Sequence, residues 1–288
     1  MLRRLDGLLQ GDYRTLFYGQ GVDLADLREY TAEDDVRRID WNVTARMDTP
    51  YVRQYQEDRE ITAHFLLDLS PSIDFGTARV PKRALLTDLV GVIARLLTRH
   101  GNKVGAVLYG HRVERIIPAR SGRVQVLTLL NDLRRRPKLQ RAPFTSLGDL
   151  LSVGLASIRR RSLVFVVSDF ISNPGWAKPL GLLARKHEVL AVRLVDPRER
   201  ELPDVGPLVL EDAETGEQLH VDTRDAGFRR RFHDATLRRE EALEATFASA
   251  RVDVLTVSTE DDLVGAIARF AGERKKRARL RAANRIVA

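Results

Sequence analysis

Acidic and hydroxyl side chains occur where predicted strands end or predicted helices begin. Five of them are of interest: Asp68, Ser70, Ser72, Thr145 and Asp169. The first three follow the apolar run at 61–67 at alternate positions, and the last follows the apolar run at 162–168. Carboxylate and hydroxyl oxygens are the ligands that Mg²⁺ prefers in proteins. The five residue types therefore predict a magnesium site, with Mn²⁺ or Ca²⁺ as alternatives.

The chemistry of such a site follows from its ligands. Three hydroxyls bind the ion directly, while two aspartates hold water and supply negative charge. Neutral direct ligands leave the ion strongly electrophilic, so an open coordination position attracts a carboxylate from another molecule. We expect the Asp68–Ser72 segment to be an extended, curling loop that points its three side chains inward.

Each of these residues also has an ordinary structural interpretation. Asp and Ser commonly fill turns after strands. Ser146 with Asp149 makes a capping box for the helix after Thr145, and Asp169 can cap the next helix. Only their order along the chain, with the right elements between them, favours a metal site.

Alternating strands and helices predict how these segments are positioned. The pattern after residue 61 indicates an α/β fold with a doubly wound, mostly parallel sheet. One edge strand should be antiparallel, because only Gly110 and His111 link the predicted strands 104–109 and 112–117. Such sheets bind ligands at the carboxyl ends of strands, where the strand order reverses.

Composition divides the chain into three parts. Residues 1–60 are polar and predict an irregular N-terminal arm packed on the main domain, with disorder as the alternative. Residues 61–272 form the α/β domain, with a hairpin insertion near 207–222. Residues 273–288 are a basic helical tail, which carries +6 of the net charge of +8.

Several classes of function are disfavoured by composition. The chain has no cysteine, and no two of its six histidines lie within five residues of each other, so no zinc pair is visible. The near-balanced body lacks the basic face of a specific nucleic-acid binder. No apolar run reaches the ~20 residues of a membrane helix, and no signal peptide is evident, so we expect a cytoplasmic protein.

The five-residue set resembles the metal-ion-dependent adhesion site of von Willebrand factor A domains. The arm adds a second resemblance, to the bacterial domain-of-unknown-function family fifty-eight. Its motifs are Arg28-Glu29-Tyr30, Asp34-Asp35-x-Arg37-x-Ile39-Asp40-Trp41 and Thr44-Ala45-Arg46. One departure is that Pro143-Phe144 precedes Thr145, where A domains usually carry glycines.

This resemblance implies a binding module rather than an enzyme. Members of the family are commonly encoded beside MoxR-type ATPases of the AAA superfamily, and are thought to be their adaptors or co-chaperones. A client protein would supply an Asp or Glu to complete the Mg²⁺ coordination. The alternative from the residues is a Mg²⁺-dependent phosphoryl or ester hydrolase at the same strand ends. A third alternative is contact of the basic tail with an acidic membrane surface or another polyanion.

Overall fold

The computed structural model describes residues 26–31, 34–47, 49–54, 61–137, 139 and 145–286. The predictions for residues 1–25, for Pro143-Phe144 and for most side chains of the tail therefore lie outside the described residues. The sequence predicts an irregular arm with an edge strand at 51–56, and the described part of the arm contains that strand and further regular elements. Strand β1 (Asp26–Glu29) pairs antiparallel with β2 (Tyr51–Gln54), and a short helix α1 (Trp41–Met47) lies between them in the chain.

The remaining strands and helices alternate as predicted. The strands are β3 (Thr62–Asp68), β4 (Lys103–Tyr109), β5 (Val113–Arg120), β6 (Leu163–Ser168), β7 (Glu188–Val195), β8 (Pro207–Glu211), β9 (Gln218–Asp222) and β10 (Asp253–Ser258). The helices are α2 (Lys82–Arg99), α3 (Gly122–Arg135), α4 (Leu147–Ser157), α5 (Ala177–Lys186), α6 (Ala226–Ala250) and α7 (Leu263–Ile286).

The main sheet has six strands in the order β10-β7-β6-β3-β4-β5. All neighbours are parallel except β4 and β5, which pair antiparallel. The predicted α/β fold, with a mostly parallel sheet and one antiparallel edge strand, is confirmed. The chain enters this sheet at the central strand β3, continues through β4 to the edge strand β5, and then returns to form β6 on the other side of β3. The strand order therefore reverses between β3 and β6, and ligand sites in such sheets lie at this point.

Helices cover both faces of the sheet, which explains why the central strands are apolar at successive positions. On β3, Phe65 and Leu67 pack on the face covered by α2, α3 and α7, whereas Leu66 packs on the face covered by α4, α5 and α6. Helix α4 approaches β3 closely because Gly154 has no side chain: a Cβ there would lie 2.6 Å from Leu66 Cδ1. This close packing fixes the start of α4 relative to the end of β3.

The last helix continues into the basic tail as predicted, but it begins differently from expectation. The spacing of Ser258 and Asp261 in the sequence predicts an approximate capping pair for this helix, but in the structure Asp261 Oδ2 accepts a hydrogen bond from Ser258 N in the preceding turn. Asp262 is the residue directly before α7, and its Oδ2 accepts from Gly265 N at 3.2 Å. The basic tail continues as helix, and its Arg274 is buried between Glu188 and Asp253 of neighbouring strands.

Candidate functional site

Asp68 is the last residue of β3 and is fully buried at the point where the strand order reverses. Its Oδ1 accepts a hydrogen bond from Ser70 N at 3.0 Å, and its Oδ2 accepts from Ser168 Oγ at 2.7 Å. Ser168 ends β6, so this second bond joins the two strands at their carboxyl ends. Both oxygens of Asp68 are therefore oriented by the two strands that form the switch point.

The segment after Asp68 is a tight turn and not the extended loop that we expected. Pro71 begins a 3-10 turn that spans Pro71–Asp74, because its ring fixes a backbone angle that suits the first position of such a turn. The turn brings the hydroxyls of Ser70 and Ser72 to 3.1 Å from each other, and both residues are buried. The alternate spacing predicted the convergence of these side chains, but the proline determined the backbone shape.

Asp169 follows β6 in a strained turn. Phe170, the next residue, has φ of 59°, which is unusual for a bulky side chain. Its ring packs between Trp176 and Phe247, at centroid distances of 5.6 and 4.9 Å, and this packing holds the strained backbone in place. Asp169 does not cap the next helix, since α5 has Trp176 at its N-cap. Its carboxylate instead stays at the end of the sheet.

A buried lysine contacts Asp169. Lys82, in the first turn of α2, has no exposed surface, and its Nζ lies 2.8 Å from Asp169 Oδ2 and 2.6 Å from Glu199 Oε1. The other oxygen of Asp169 accepts from Ile171 N at 3.0 Å. No sequence pattern identified this lysine as a site residue, because it is 87 positions from Asp169 and follows an ordinary helix-start proline.

Thr145 lies directly before the N-cap of α4 and is tied to the loop after β6. Its carbonyl oxygen accepts from Ser172 Oγ at 2.8 Å and from Asn173 N at 3.1 Å. Ser146 caps α4, with its Oγ accepting from Asp149 N at 3.4 Å, but the described side chains do not complete the predicted capping box, which also needs a bond from Ser146 N to the Asp149 carboxylate. The capping role thus belongs to Ser146, and the buried hydroxyl of Thr145 is left to face the site.

Glu214 is a second site residue, besides Lys82, that the sequence did not predict. It lies in the turn between β8 and β9, yet it is buried beside the predicted site residues. Its Oε1 accepts from Thr145 Oγ1 at 2.9 Å and from Ser72 N at 3.4 Å. Its Oε2 is buried and has no hydrogen-bond partner among the described residues. Residues of a hairpin insertion were not considered as candidates for the site. The one feature of the sequence that could have identified Glu214 is the acidic turn from Asp212 to Glu214.

The carboxylates at this site strongly influence one another. Burial first, and then the charge of Asp169, raise the pKa of Asp68 to about 7 against the opposing hydrogen bonds from Ser168 and Ser70. Burial likewise raises the pKa of Glu214, against the hydrogen bonds from Thr145 and Ser72, and Asp169 contributes to the rise. Like charges in a buried site favour either a proton or a cation.

The described residues of this site can bind a divalent cation only if hydroxyl groups are among its ligands. Among the described residues, no three histidine, cysteine or carboxylate side chains form a group that could hold a metal ion by themselves. The structure does bring the five predicted residues to one end of the sheet, where hydroxyls of Ser70, Ser72 and Thr145 adjoin buried carboxylates. A hard cation is well served by this mixture of oxygens. Glu214 Oε2 is buried and has no hydrogen-bond partner among the described residues, so it is free to bind a cation or to accept a hydrogen bond.

Comparison with known proteins identifies the family. The family model described as "Protein of unknown function DUF58" matches residues 26–242. The chain belongs to the DUF58 family. Proteins of Mycobacterium tuberculosis and Mycobacterium bovis, both described as uncharacterized, are each 37% identical to it over 278 residues, which is 95% of this chain and 86% of theirs. The family resemblance predicted from the arm motifs is thus confirmed.

Solved structures are more distant from this DUF58 protein. It is similar to BatB from Bacteroides thetaiotaomicron, at 12% identity and a TM-score of 0.47, over 75% of this chain and 99% of that one. An aerotolerance-related membrane protein from Bacteroides fragilis gives 13% identity, the same TM-score and the same coverage. Sequence identities and TM-scores this low carry no information about the ligands or partners of this chain. Within the described residues of this chain, no helix is long and apolar enough to cross a membrane.

Proposed function

We propose that this DUF58 protein is a metal-dependent protein-binding module. Asp68, Ser70, Ser72, Thr145 and Asp169 would hold Mg²⁺, or Mn²⁺ or Ca²⁺ in its place. The observation that carries the proposal is the meeting of these five buried side chains at the switch point of the sheet. When bound, the ion supplies an electrophilic centre for a carboxylate of another protein.

The charge balance of the site supports a cation. The described side chains linked to the site include a single ammonium, that of Lys82. Around it are four carboxylates, those of Asp68, Asp169, Glu199 and Glu214. Burying carboxylates close together is costly unless positive charge compensates them. Lys82 compensates Asp169 and Glu199, so Asp68 and Glu214 remain as the charges that a divalent ion would balance.

The partner is proposed from the chemistry and from the family resemblance together. An acidic side chain is the group that a Mg²⁺ centre with neutral hydroxyl ligands attracts. The resemblance implies a MoxR-type AAA ATPase as the partner, with this chain as its adaptor or co-chaperone and a client as the source of the Asp or Glu. We assign the protein no catalytic role of its own.

Metal binding is tested first, by calorimetric titration with MnCl₂. The wild type should bind one ion, and Asp68→Ala should lower the affinity by on the order of 100-fold, because the buried charge is lost. Asp88→Ala is the matched control, since it removes an exposed aspartate from α2. Equal affinities for the wild type and Asp68→Ala would contradict the proposed site.

Partner binding is tested with a purified MoxR-type ATPase from the same organism. The wild type on a support should retain the ATPase in Mg²⁺ and release it in EDTA, while Asp68→Ala should retain little in either buffer. Retention by Asp68→Ala that EDTA does not change would show binding independent of the metal.

A hydrolase is the second candidate because Glu214 Oε2 is buried, has no hydrogen-bond partner among the described residues, and is therefore free to accept a proton. Turnover of p-nitrophenyl phosphate in Mg²⁺ discriminates between the two functions. We expect no turnover above that of Asp68→Asn. A Mg²⁺-dependent rate that is lost in this variant would establish the enzyme instead.

A further inference from the structure

We infer that Glu214 is an internal carboxylate ligand, which the β8–β9 hairpin inserts at the position that a partner's acidic side chain would take. The inference rests on the proposed metal site. A partner must then displace the hairpin before it can reach the ion. The proposed module would be a gated one, in which an intramolecular carboxylate competes with the carboxylate of the partner.

The contacts of Glu214 place it among the candidate ligands and not merely near them. Its Oε1 accepts hydrogen bonds from the hydroxyl of Thr145 and the backbone amide of Ser72, which lie 69 and 142 positions earlier in the chain. Two of the five candidate metal ligands are therefore bridged by one oxygen. The second oxygen, Oε2, is buried and has no partner in the described part of the chain, so it is available to a cation.

The turn that carries Glu214 is held in a defined conformation. Asp212 Oδ1 accepts from Glu214 N at 2.9 Å and from Thr215 N at 2.8 Å. Gly216 has φ of 73°, a conformation that glycine adopts without strain, and its N donates to Asp212 O at 2.8 Å. The carboxylate of Glu214 is thus presented from a preformed turn, which lowers the entropic cost of its insertion.

The rest of the hairpin is weakly held. Between Pro207 and Asp222, all of which the structure describes, Glu214 is the one buried residue. Because the other side chains are exposed or half-exposed, few apolar contacts oppose movement of the hairpin away from the sheet. At its base, Thr223 donates from both N and Oγ1 to Gly206 O at 2.8 Å, so the base stays closed. The hairpin can therefore leave the site as a unit.

A buried carboxylate on so exposed a hairpin requires a compensating interaction. Glu214 faces the charge of Asp169, which makes its burial unfavourable in the absence of a cation. Little apolar burial by the hairpin offsets this cost, since the side chains of its strands are exposed or half-exposed. A bond from Glu214 to the metal supplies the missing stabilisation, and loss of that bond to a competing carboxylate would free the hairpin.

The experiment measures how many exchangeable waters a bound Mn²⁺ keeps, by water-proton relaxation, with acetate as the carboxylate probe. In the wild type, acetate should leave the relaxivity unchanged because Glu214 fills the position. In Glu214→Ala the bound ion should gain about one water, acetate should lower the relaxivity again, and the Mn²⁺ affinity should fall about 10-fold. Glu217→Ala, an exposed position on the same hairpin, should behave as the wild type.

A second variant keeps the inference falsifiable if alanine disturbs the hairpin. Glu214→Gln retains an oxygen that can accept from Thr145 and Ser72 but has no charge, and it should also become sensitive to acetate. If Mn²⁺ binds with one-to-one stoichiometry and all variants share the wild-type relaxivity and acetate response, Glu214 is not a ligand, although the metal site stands. If no variant and not even the wild type binds Mn²⁺, both the inference and the proposed function are wrong.

Discussion

Two fully buried aspartates lie at the same end of the sheet, and their surroundings are opposite. Asp196 follows β7, and its carboxylate accepts hydrogen bonds from Thr77 N, Thr77 Oγ1, Arg198 N and Thr259 Oγ1, at 2.6 to 3.0 Å. Asp68 ends β3, accepts two hydrogen bonds, and faces the charge of Asp169. Both carboxylates are excluded from water, but only that of Asp196 is supplied with enough donors.

The pKa values express this difference. Burial alone would raise the pKa of Asp196, but the hydrogen bonds from Thr77, Arg198 and Thr259 outweigh burial and hold it below its usual range. For Asp68, burial and Asp169 prevail and raise the pKa to about 7. A buried carboxylate that receives enough hydrogen bonds from the fold stabilises the structure. A buried carboxylate that receives too few is suited to bind a cation or another ligand.

One chain of contacts links the two regions. Glu199 Oε2 accepts from Asp196 N at 3.0 Å, and Glu199 Oε1 contacts Lys82 Nζ, which in turn contacts Asp169. Lys82 thus has a structural partner on one side and a candidate metal-site residue on the other. Substitutions on either side, and at Lys82 itself, separate structural from functional roles.

The largest effect on stability is expected at Asp196. Asp196→Ala leaves several buried donors without an acceptor and should lower the free energy of unfolding by about 4 kcal/mol. Urea unfolding measures this change. Asp234→Ala, an exposed aspartate in α6, should change it by less than about 0.5 kcal/mol. An Asp196→Ala protein as stable as the wild type would remove the contrast between the two aspartates.

Loss of the shared lysine should have the next largest effect. Lys82→Met removes the ammonium between Asp169 and Glu199 and leaves two carboxylates without it, at a cost of about 3 kcal/mol. Lys178→Met, at an exposed position in α5, is the control in the same urea experiment. A cost no larger than that of the control would mean that water already compensates these carboxylates.

Asp68→Asn should act in the opposite direction. In buffer with a chelator it should raise the free energy of unfolding by about 1 kcal/mol, because it removes a buried charge that faces Asp169. Added Mn²⁺ at 100 times the wild-type dissociation constant should stabilise the wild type by about 2.7 kcal/mol and the variant, with its about 100-fold weaker binding, by only about 0.4 kcal/mol. Asp88→Asn should follow the wild type. Destabilisation of Asp68→Asn in the chelated buffer would make Asp68 a structural residue like Asp196.

The smallest expected effect is a pH dependence that comes from Asp196. Its pKa is lower in the folded than in the unfolded protein, so its stabilisation is present above the ordinary value of about 4 and is lost as the pH falls through the folded pKa. The stability advantage of the wild type over Asp196→Asn should therefore shrink on acidification below pH ~4. An advantage that stays constant down to the folded pKa would show that ionisation of Asp196 contributes nothing.

Much of the fold was predictable because burial is periodic in the sequence. Two linking residues were enough to predict the antiparallel pair β4 and β5, and the hairpin predicted near 207–222 is that of β8 and β9. Errors were local: Asp262 rather than Ser258 caps α7, and Pro71 folds the segment after Asp68 into a 3-10 turn. In both cases a nearby residue decided the local backbone: Asp262 Oδ2 accepts from Gly265 N in the first turn of α7, and the ring of Pro71 fixes its own backbone angle.

The sequence by itself determined that Asp68, Ser70, Ser72, Thr145 and Asp169 stand at element ends, since strands of alternating α/β folds end at a common edge. Only the tertiary structure decided which charges share that edge with them. Lys82 and Glu214 reach the site from a helix start and from a hairpin turn, across 87 and 69 positions from their partners Asp169 and Thr145. No local pattern encodes such contacts, because they depend on how complete elements pack against one another.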